Sequence, residues 1–212
     1  KTEKNLWTEN EAGDQITVAH LEDETGEAEY IVGQITELID KSGIAPQQCV
    51  VLFRNNAQSR ALEEAAMKAG LPYTLVGTVR FYDRREVKDV LAYLRLLANP
   101  DARASFQRIL NVPTRGLGPK AMKNLVPHRA RLVSESELPE DLLDGLTTRT
   151  QTAVRRFHEL FQSLHKVKRE KSVADLIDAV ISHTGYDTWI NDGTDQGRER
   201  LENVREIMTV DG

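Results

Sequence analysis

Two patterns of apolar residues follow one another along the chain. Up to residue 98, short runs with apolar alternation or continuous apolar character are separated by runs with helical spacing. The strand-like runs are residues 14–21, 49–53 and 71–76. The helical runs are residues 24–41, 56–69 and 83–98. This alternation predicts an α/β fold, a parallel sheet with crossover helices.

From residue 99 onward the strand-like runs stop. Helical spacing recurs over residues 103–110, 119–131, 149–168, 172–182 and 197–210. Residues 138–145 are typical of a short helix or a turn, and Ser172 is suited to cap the helix that follows it. The change at Asn99-Pro100 predicts two domains, an α/β domain over residues 1–98 and an all-α domain over residues 99–212.

Charge is distributed very unevenly. The 212 residues carry a net charge of −5, yet residues 1–50 hold 3 Lys/Arg against 11 Asp/Glu. Residues 80–131 hold 12 Lys/Arg against 4 Asp/Glu. A basic segment beside an acidic one favours a polyanionic partner, although both could be ordinary solvated helix faces.

Bulk composition excludes several classes. No apolar run approaches the ~20 residues that span a bilayer, and the polar N-terminus has no secretory signal. Cys49 is the single cysteine, so an internal disulfide is excluded, which fits a reducing cytosol.

The segment from Tyr73 to Pro100 holds the first candidate chemistry. It predicts a strand, a glycine turn, an exposed Arg80-Phe81-Tyr82 cluster and a long amphipathic helix. A guanidinium can hold a phosphate while an aromatic ring stacks on a base, as single-stranded nucleic acid requires. The alternative is a solvated helix start whose two aromatic rings belong to the core.

A second candidate lies at residues 111–125, NVPTRGLGPKAMKNL. Gly116 and Gly118 form a tight turn, and Pro119 occupies the first position of a new helix. This helix-hairpin-helix pattern lets the backbone approach a phosphate and donate N–H groups to it. Three cations surround the turn: Arg115, Lys120 and Lys123. The alternative is an ordinary turn between two helices.

Signatures of nucleotide binding, zinc binding and nucleophilic catalysis are missing from the sequence. It contains no G-x-x-x-x-G-K-[ST] phosphate loop, no Cys/His cluster with zinc spacing and no nucleophile–base pair. We therefore predict no catalytic residue and no metal ligand within these 212 residues.

Three blocks, in order, carry a family resemblance: VVLFRNNAQSRALEEAAMKAGLPYTLVG, RFYDRREVKDVLAYLRLLANP and FQRILNVPTRGLG. Together they resemble superfamily 1 DNA helicases of the UvrD/PcrA/Rep type, and the likeness continues through GRERLENVREIM. The resemblance implies that residues 1–98 are the first half of the second RecA-like motor domain, 2A. Residues 99–212 would be its helical insertion, 2B.

The resemblance also implies roles for individual residues. Positions along the single-strand track would be Arg80, Phe81, Asn55, Gln58 and Arg60. Positions that contact duplex backbone would be Thr114, Arg115, Gly116, Gly118 and Lys120, with Lys123 beside them. Two alternatives stay open: Asn55 or Asn56 could cap a helix, and Glu86 could pair with Arg84 or Lys88 to order a helix start.

The implied function is that of a 3′-to-5′ ATP-dependent helicase acting in DNA repair or replication. ATP and Mg²⁺ would bind the full-length parent, because the family's phosphate loop lies upstream, so this chain alone is expected to be inactive. Expected partners are single-stranded and duplex DNA, the missing motor domain and repair or replication proteins, without a membrane. The expected location is bacterial cytoplasm, at the nucleoid. The alternative is a non-catalytic DNA-binding or regulatory module with a helicase-like fold.

Overall fold

The computed structural model describes residues 9, 11, 13–54, 58–77 and 79–209, and for residue 209 the backbone only. Within these residues it contains α-helices and short 3₁₀ turns, and no β-strand. The α-helices are α1 Glu24–Ser42, α2 Ser59–Lys68, α3 Arg85–Ala98, α4 Arg103–Ile109, α5 Pro119–Leu125, α6 Arg129–Ser134, α7 Thr148–Glu170, α8 Val173–Thr184, α9 Tyr186–Ile190 and α10 Asp195–Glu206.

The predicted parallel sheet is therefore wrong for the described part of the chain. Residues 14–21, 49–53 and 71–76 are irregular, and several of their apolar side chains face solvent. Ile16 is 92% exposed, Leu52 90% and Val76 89%. Apolar alternation indicates a segment that suits a half-buried pleated surface, but a strand exists only when a neighbouring strand accepts its hydrogen bonds. The fold class α/β is accordingly replaced by an all-helical one.

Helix predictions fared better, because local signals mark many of the helix ends. Asp23 caps α1 by accepting a hydrogen bond from the Gly26 N–H at 2.7 Å, and Gly43 ends it with a φ of 66°. Ser172 caps α8 as predicted, and Asp175 completes a capping box with it. The helical character predicted after residue 99 is confirmed.

One predicted helix, residues 119–131, is in fact two. Helix α5 ends at Leu125, a 3₁₀ turn covers Val126–His128, and α6 begins at Arg129. Pro127 lies within the 3₁₀ turn, where its ring and missing N–H interrupt the helical hydrogen-bond ladder.

Buried apolar residues form two clusters of very different size. The small cluster joins α1 to α2 through Ala28, Val32, Ala61, Ala65 and Ala66. The large cluster extends from Phe81 to Ile207 and includes the buried face of α3, the rings of Phe106, Phe157 and Phe161, and α8. Helix α3 thus packs with the helices that follow it, and the domain boundary at residue 98 stays a prediction. None of the described helices is both long and apolar enough to cross a membrane.

Candidate nucleic-acid interface

The loop at residues 79–84, between α2 and α3, holds the first candidate. Arg80 is exposed, and its guanidinium carbon lies 5.7 Å from the centroid of the Tyr73 ring. The Tyr73 hydroxyl donates to Glu63 Oε2 at 3.2 Å, and burial together with this carboxylate raises the pKa of Tyr73. Arg80 thus lies beside an aromatic face, but the ring is that of Tyr73, outside the loop, and not Phe81 or Tyr82 as the sequence cluster suggested.

Phe81 lies elsewhere than predicted. Its ring is 0% exposed, and it packs edge-on against Tyr82 with centroids 5.1 Å apart. The exposed aromatic of the loop is Tyr82, at 39%, whose hydroxyl donates to Glu64 Oε1 at 2.7 Å. The expectation of an exposed Phe81 ring is thus corrected, because this side chain supplies apolar area to the core.

Arg60 is also inside rather than on a surface. It is buried, donates from Nε to Glu206 Oε1 at 3.0 Å and pairs with Glu64 at 3.1 Å. Gln58 is exposed, and its Oε1 accepts from the Arg54 N–H at 2.9 Å. Asn55 and Asn56 lie outside the described residues, so neither their proposed contacts nor their proposed capping can be placed.

The start of α3 is ordered by partners that the sequence spacing did not indicate. Glu86 is buried and accepts from Asn203 Nδ2 at 2.8 Å. Lys88 pairs with Asp83 at 2.7 Å. Arg84 donates to Asn203 Oδ1 at 2.7 Å, and Asn203 lies 119 residues further along the chain.

The second candidate is the turn from Asn111 to Pro119. Gly116 has a φ of 76°, a left-handed conformation that glycine adopts without a Cβ clash. Asn111 Oδ1 accepts from the backbone N–H of Arg115 at 2.7 Å and of Leu117 at 3.2 Å. The Asn111 side chain thus stabilises the turn by accepting two backbone hydrogen bonds.

Arg115 stabilises the turn through hydrogen bonds from its side chain. Its guanidinium donates to the carbonyl oxygens of Ile109 at 3.0 Å and Pro113 at 3.2 Å, and to the Tyr93 hydroxyl at 2.5 Å. Its guanidinium carbon lies 5.4 Å from the centroid of the Phe157 ring. Arg115 is half-buried and both of its Nη atoms donate to the protein in this conformation, so its predicted phosphate contact stays a prediction.

The outer side of the turn is open. Thr114, Gly116, Gly118, Lys120 and Lys123 are all exposed. A Cβ built on Gly116 or Gly118 would meet no atom within 4 Å, so a ligand could approach the backbone there. Because α5 begins at Pro119, the N–H groups of its first turn have no intrahelical acceptor. The structure thus brings predicted residues together on one accessible turn.

Sequence inspection missed a buried group of polar side chains, which we call the polar network. Its members come from α2, the 79–84 loop, α3 and α10: the buried Ser59, Arg60, Glu63, Arg84, Glu86 and Asn203, with the half-buried Glu206 bonded to Arg60. Burial lowers the pKa of Arg84, while the carboxylates of Glu63 and Glu86 act in the opposite direction. No spacing rule predicts such a network, because its partners are distant in sequence.

A shallow cleft of about 390 Å³ opens between this loop and α10. Its lining includes Val79, Arg84, Arg85, Arg200 and Asn203. Among the described side chains, no group of three or more His, Cys, Asp or Glu residues could hold a metal ion.

Comparison with known proteins defines the class. Residues 1–210 match the family model of the UvrD-like helicase C-terminal domain. The chain therefore belongs to the UvrD-like helicase family, which confirms the resemblance seen in the sequence blocks.

Individual relatives show which members of this family the chain resembles. The ATP-dependent DNA helicase PcrA of Staphylococcus epidermidis is 38% identical over 210 residues, and that of Staphylococcus aureus is equally similar. DNA helicase II of Haemophilus influenzae is 37% identical over 211 residues. These alignments cover 98% of this chain but 29% of each relative, so the chain spans less than a third of their length.

Proposed function

We propose that this chain is part of an ATP-dependent DNA helicase and contributes contacts to single-stranded and duplex DNA. One observation carries the proposal: the chain matches the family model over residues 1–210, and its similar relatives are named as DNA helicases. The parent protein would translocate 3′ to 5′ and separate duplex in repair or replication.

The turn around Gly116 is the proposed duplex contact. Its exposed glycines and the exposed side chains of Thr114, Lys120 and Lys123 support a grip on the sugar-phosphate backbone. Such a grip fixes position and carries no sequence information. Arg115 contributes to it indirectly, because it holds the turn in shape.

The 79–84 loop is the proposed single-strand contact. Arg80 would bind phosphate, and the exposed Tyr82 ring would stack on a base, while Gln58 and Asn55 would extend the track. The net positive charge of residues 80–131, which includes both proposed contacts, favours a polyanion.

ATP and Mg²⁺ are proposed for the parent and not for residues of this chain. The sequence lacks a G-x-x-x-x-G-K-[ST] loop, and the described residues do not form a cluster suited to a metal ion. We therefore assign no step of hydrolysis here. The proposed arrangement keeps residues 1–98 as part of motor domain 2A and residues 99–212 as the insertion 2B, with the rest of the motor as its partner.

The test is binding of the 212-residue chain to a duplex with a 3′ single-stranded tail, by fluorescence anisotropy over a salt series. Lys120→Ala with Lys123→Ala should weaken duplex binding and reduce the slope of log K against log salt by about two, because each lysine that no longer neutralises a phosphate lowers the slope by about one. The matched control is Lys166→Ala with Lys171→Ala, two exposed lysines on or beside α7 that are not part of residues 111–125. Equal slopes for both pairs would refute the duplex contact.

A further inference from the structure

The 79–84 loop is fixed by buried polar side chains on both sides. On the α2 side, Glu63 Oε1 accepts from the Phe81 N–H at 3.1 Å and from the Ser59 hydroxyl at 2.9 Å. Arg84 closes the loop, since its Nε donates to the Val79 carbonyl at 3.3 Å and its Nη2 to Ser59 at 2.8 Å. The loop is therefore bonded through the carbonyl of Val79, the N–H of Phe81 and the side chain of Arg84.

On the other side stands a single amide from α10. Asn203 is 3% exposed, accepts from Arg84 Nη1 at 2.7 Å and donates to Glu86 Oε1 at 2.8 Å. Arg84 and Glu86 flank Arg85, the first residue of α3. Because a guanidinium only donates and a carboxylate only accepts, the two ends of the amide are matched to their two partners.

The loop also presents the exposed groups of the proposed single-strand contact. Tyr82 is held over α2 by its bond to Glu64, and Arg80 lies beside Tyr73. A change in the position of Arg84 would move the carbonyl of Val79 and with it the backbone that carries Arg80. Hydrogen bonds to charged groups in a buried setting are strong. A displacement of Arg84 is therefore expected to move the groups bonded to it.

We propose that Asn203 is a positioning residue that holds the 79–84 loop in the conformation needed to contact single-stranded nucleic acid. The last α-helix of the described chain and the single-strand contact are then coupled through Arg84. The proposal rests on the proposed function for the role of the loop, but the coupling itself is a property of the free protein.

The coupling is tested first without DNA. Asn203→Ala leaves Arg84 and Glu86 without this partner, so amide hydrogen exchange at residues 81–84 should become roughly tenfold faster, about the effect of removing one hydrogen bond to a charged group. Exchange within α7 should not change. The matched control is Glu202→Ala, an exposed neighbour on the same helix. Unchanged exchange at residues 81–84 in a folded Asn203→Ala variant overturns the proposal.

A conservative variant separates positioning from general stability. Asn203→Asp combined with Glu86→Gln keeps an acceptor for Arg84 without placing two carboxylates in contact, so protection at residues 81–84 should stay within about threefold of the unsubstituted chain. If Asn203→Ala does not fold, Asn203→Ser takes its place, because the shorter hydroxyl cannot span both partners. Equal loss of protection in the Asp and Ala variants counts against a role through Arg84.

A double-mutant cycle then tests the link to DNA. Asn203→Ala should weaken binding to a single-stranded oligonucleotide about tenfold and leave binding to blunt duplex within about twofold. In an Arg80→Ala background the same change should cost no more than about twofold, since the group being positioned is already gone. Additive losses overturn the proposal. If the unsubstituted chain does not bind the single-stranded oligonucleotide but amide hydrogen exchange responds to Asn203→Ala, the proposed function fails while the coupling stands.

Discussion

The described residues up to 77 (13–54 and 58–77) and residues 79–209 differ in how they bury apolar surface. The first region packs α1 on α2 mainly through alanines, and leaves Ile16, Leu52 and Val76 in solvent. The second encloses a core rich in aromatic rings, in which Phe106, Phe157 and Phe161 are fully buried. Buried area is the main favourable term in folding. Stability is therefore concentrated in the second region, and apolar patterning in the first does not show where burial occurs.

The largest expected effect comes from the aromatic core. Phe157→Ala removes a ring that contacts both Phe106 and Phe161 and should lower the free energy of unfolding by about 3–5 kcal/mol. Urea denaturation followed by circular dichroism measures this. The counterpart in the first region is Leu52→Ala, for which we expect less than about 0.5 kcal/mol because its side chain is 90% exposed. Similar losses from both substitutions would break the comparison.

A smaller effect is expected where a charge is buried in the second region. Asp89 is buried, accepts from Arg108 Nε at 2.6 Å and from the Tyr186 hydroxyl at 2.8 Å, and so joins α3 to α4 and α9. Asp89→Ala should lower stability by about 2–4 kcal/mol, because Tyr186 loses its acceptor in the core. Asp101→Ala is the control, since Asp101 is largely exposed and its ion pair with Arg129 is worth under about 1 kcal/mol. Thermal unfolding of the two variants distinguishes them.

Removing the Arg115 side chain from the turn should lower stability somewhat less than removing Asp89. Arg115→Ala removes donors to Ile109, Pro113 and Tyr93, and we expect a loss of about 2 kcal/mol. Arg115→Lys should restore little, because an ammonium cannot reproduce the planar fork that reaches several oxygens. Lys120→Ala, on the open side of the same turn, should change stability by under about 0.5 kcal/mol. A loss from Lys120→Ala as large as that from Arg115→Ala would show that the turn is not held from within.

The smallest effect is a pH dependence at the alkaline end. Burial raises the pKa of Tyr93 to about 12, and burial followed by the bond to Glu64 raises the pKa of Tyr82 to about 12. A raised pKa in the folded state means that the neutral phenol stabilises the fold. This contribution to stability is complete below the unfolded pKa of about 10 and is lost as pH rises towards 12. Tyrosine absorbance against pH should show a late ionising step whose amplitude falls in Tyr82→Phe, while the contribution of Tyr93 to that step remains. Its persistence at unchanged amplitude would assign the late step to Tyr93 alone.

Local chemistry made much of the helical part predictable. The caps of α1 and α8 require residues that lie within three positions of each other, so their side chains indicate the helix ends before any tertiary contact forms. Pro127 could have revealed the break between α5 and α6, but the apolar spacing across it conceals the interruption. The strand predictions were wrong for a different reason: a strand depends on a hydrogen-bonded neighbour, which spacing cannot supply.

For the candidate site, the sequence by itself determined that cations, glycines and aromatics occur together at residues 80–82 and 114–123, and the family blocks determined the class. Only the tertiary structure decided which of these groups face outward. Arg80, Tyr82 and Lys120 are exposed, whereas Phe81 and Arg60 are buried and the donors of Arg115 point inward. It also decided that Asn203 holds Arg84, because hydrogen bonds between residues more than a hundred positions apart follow from packing and not from any local pattern.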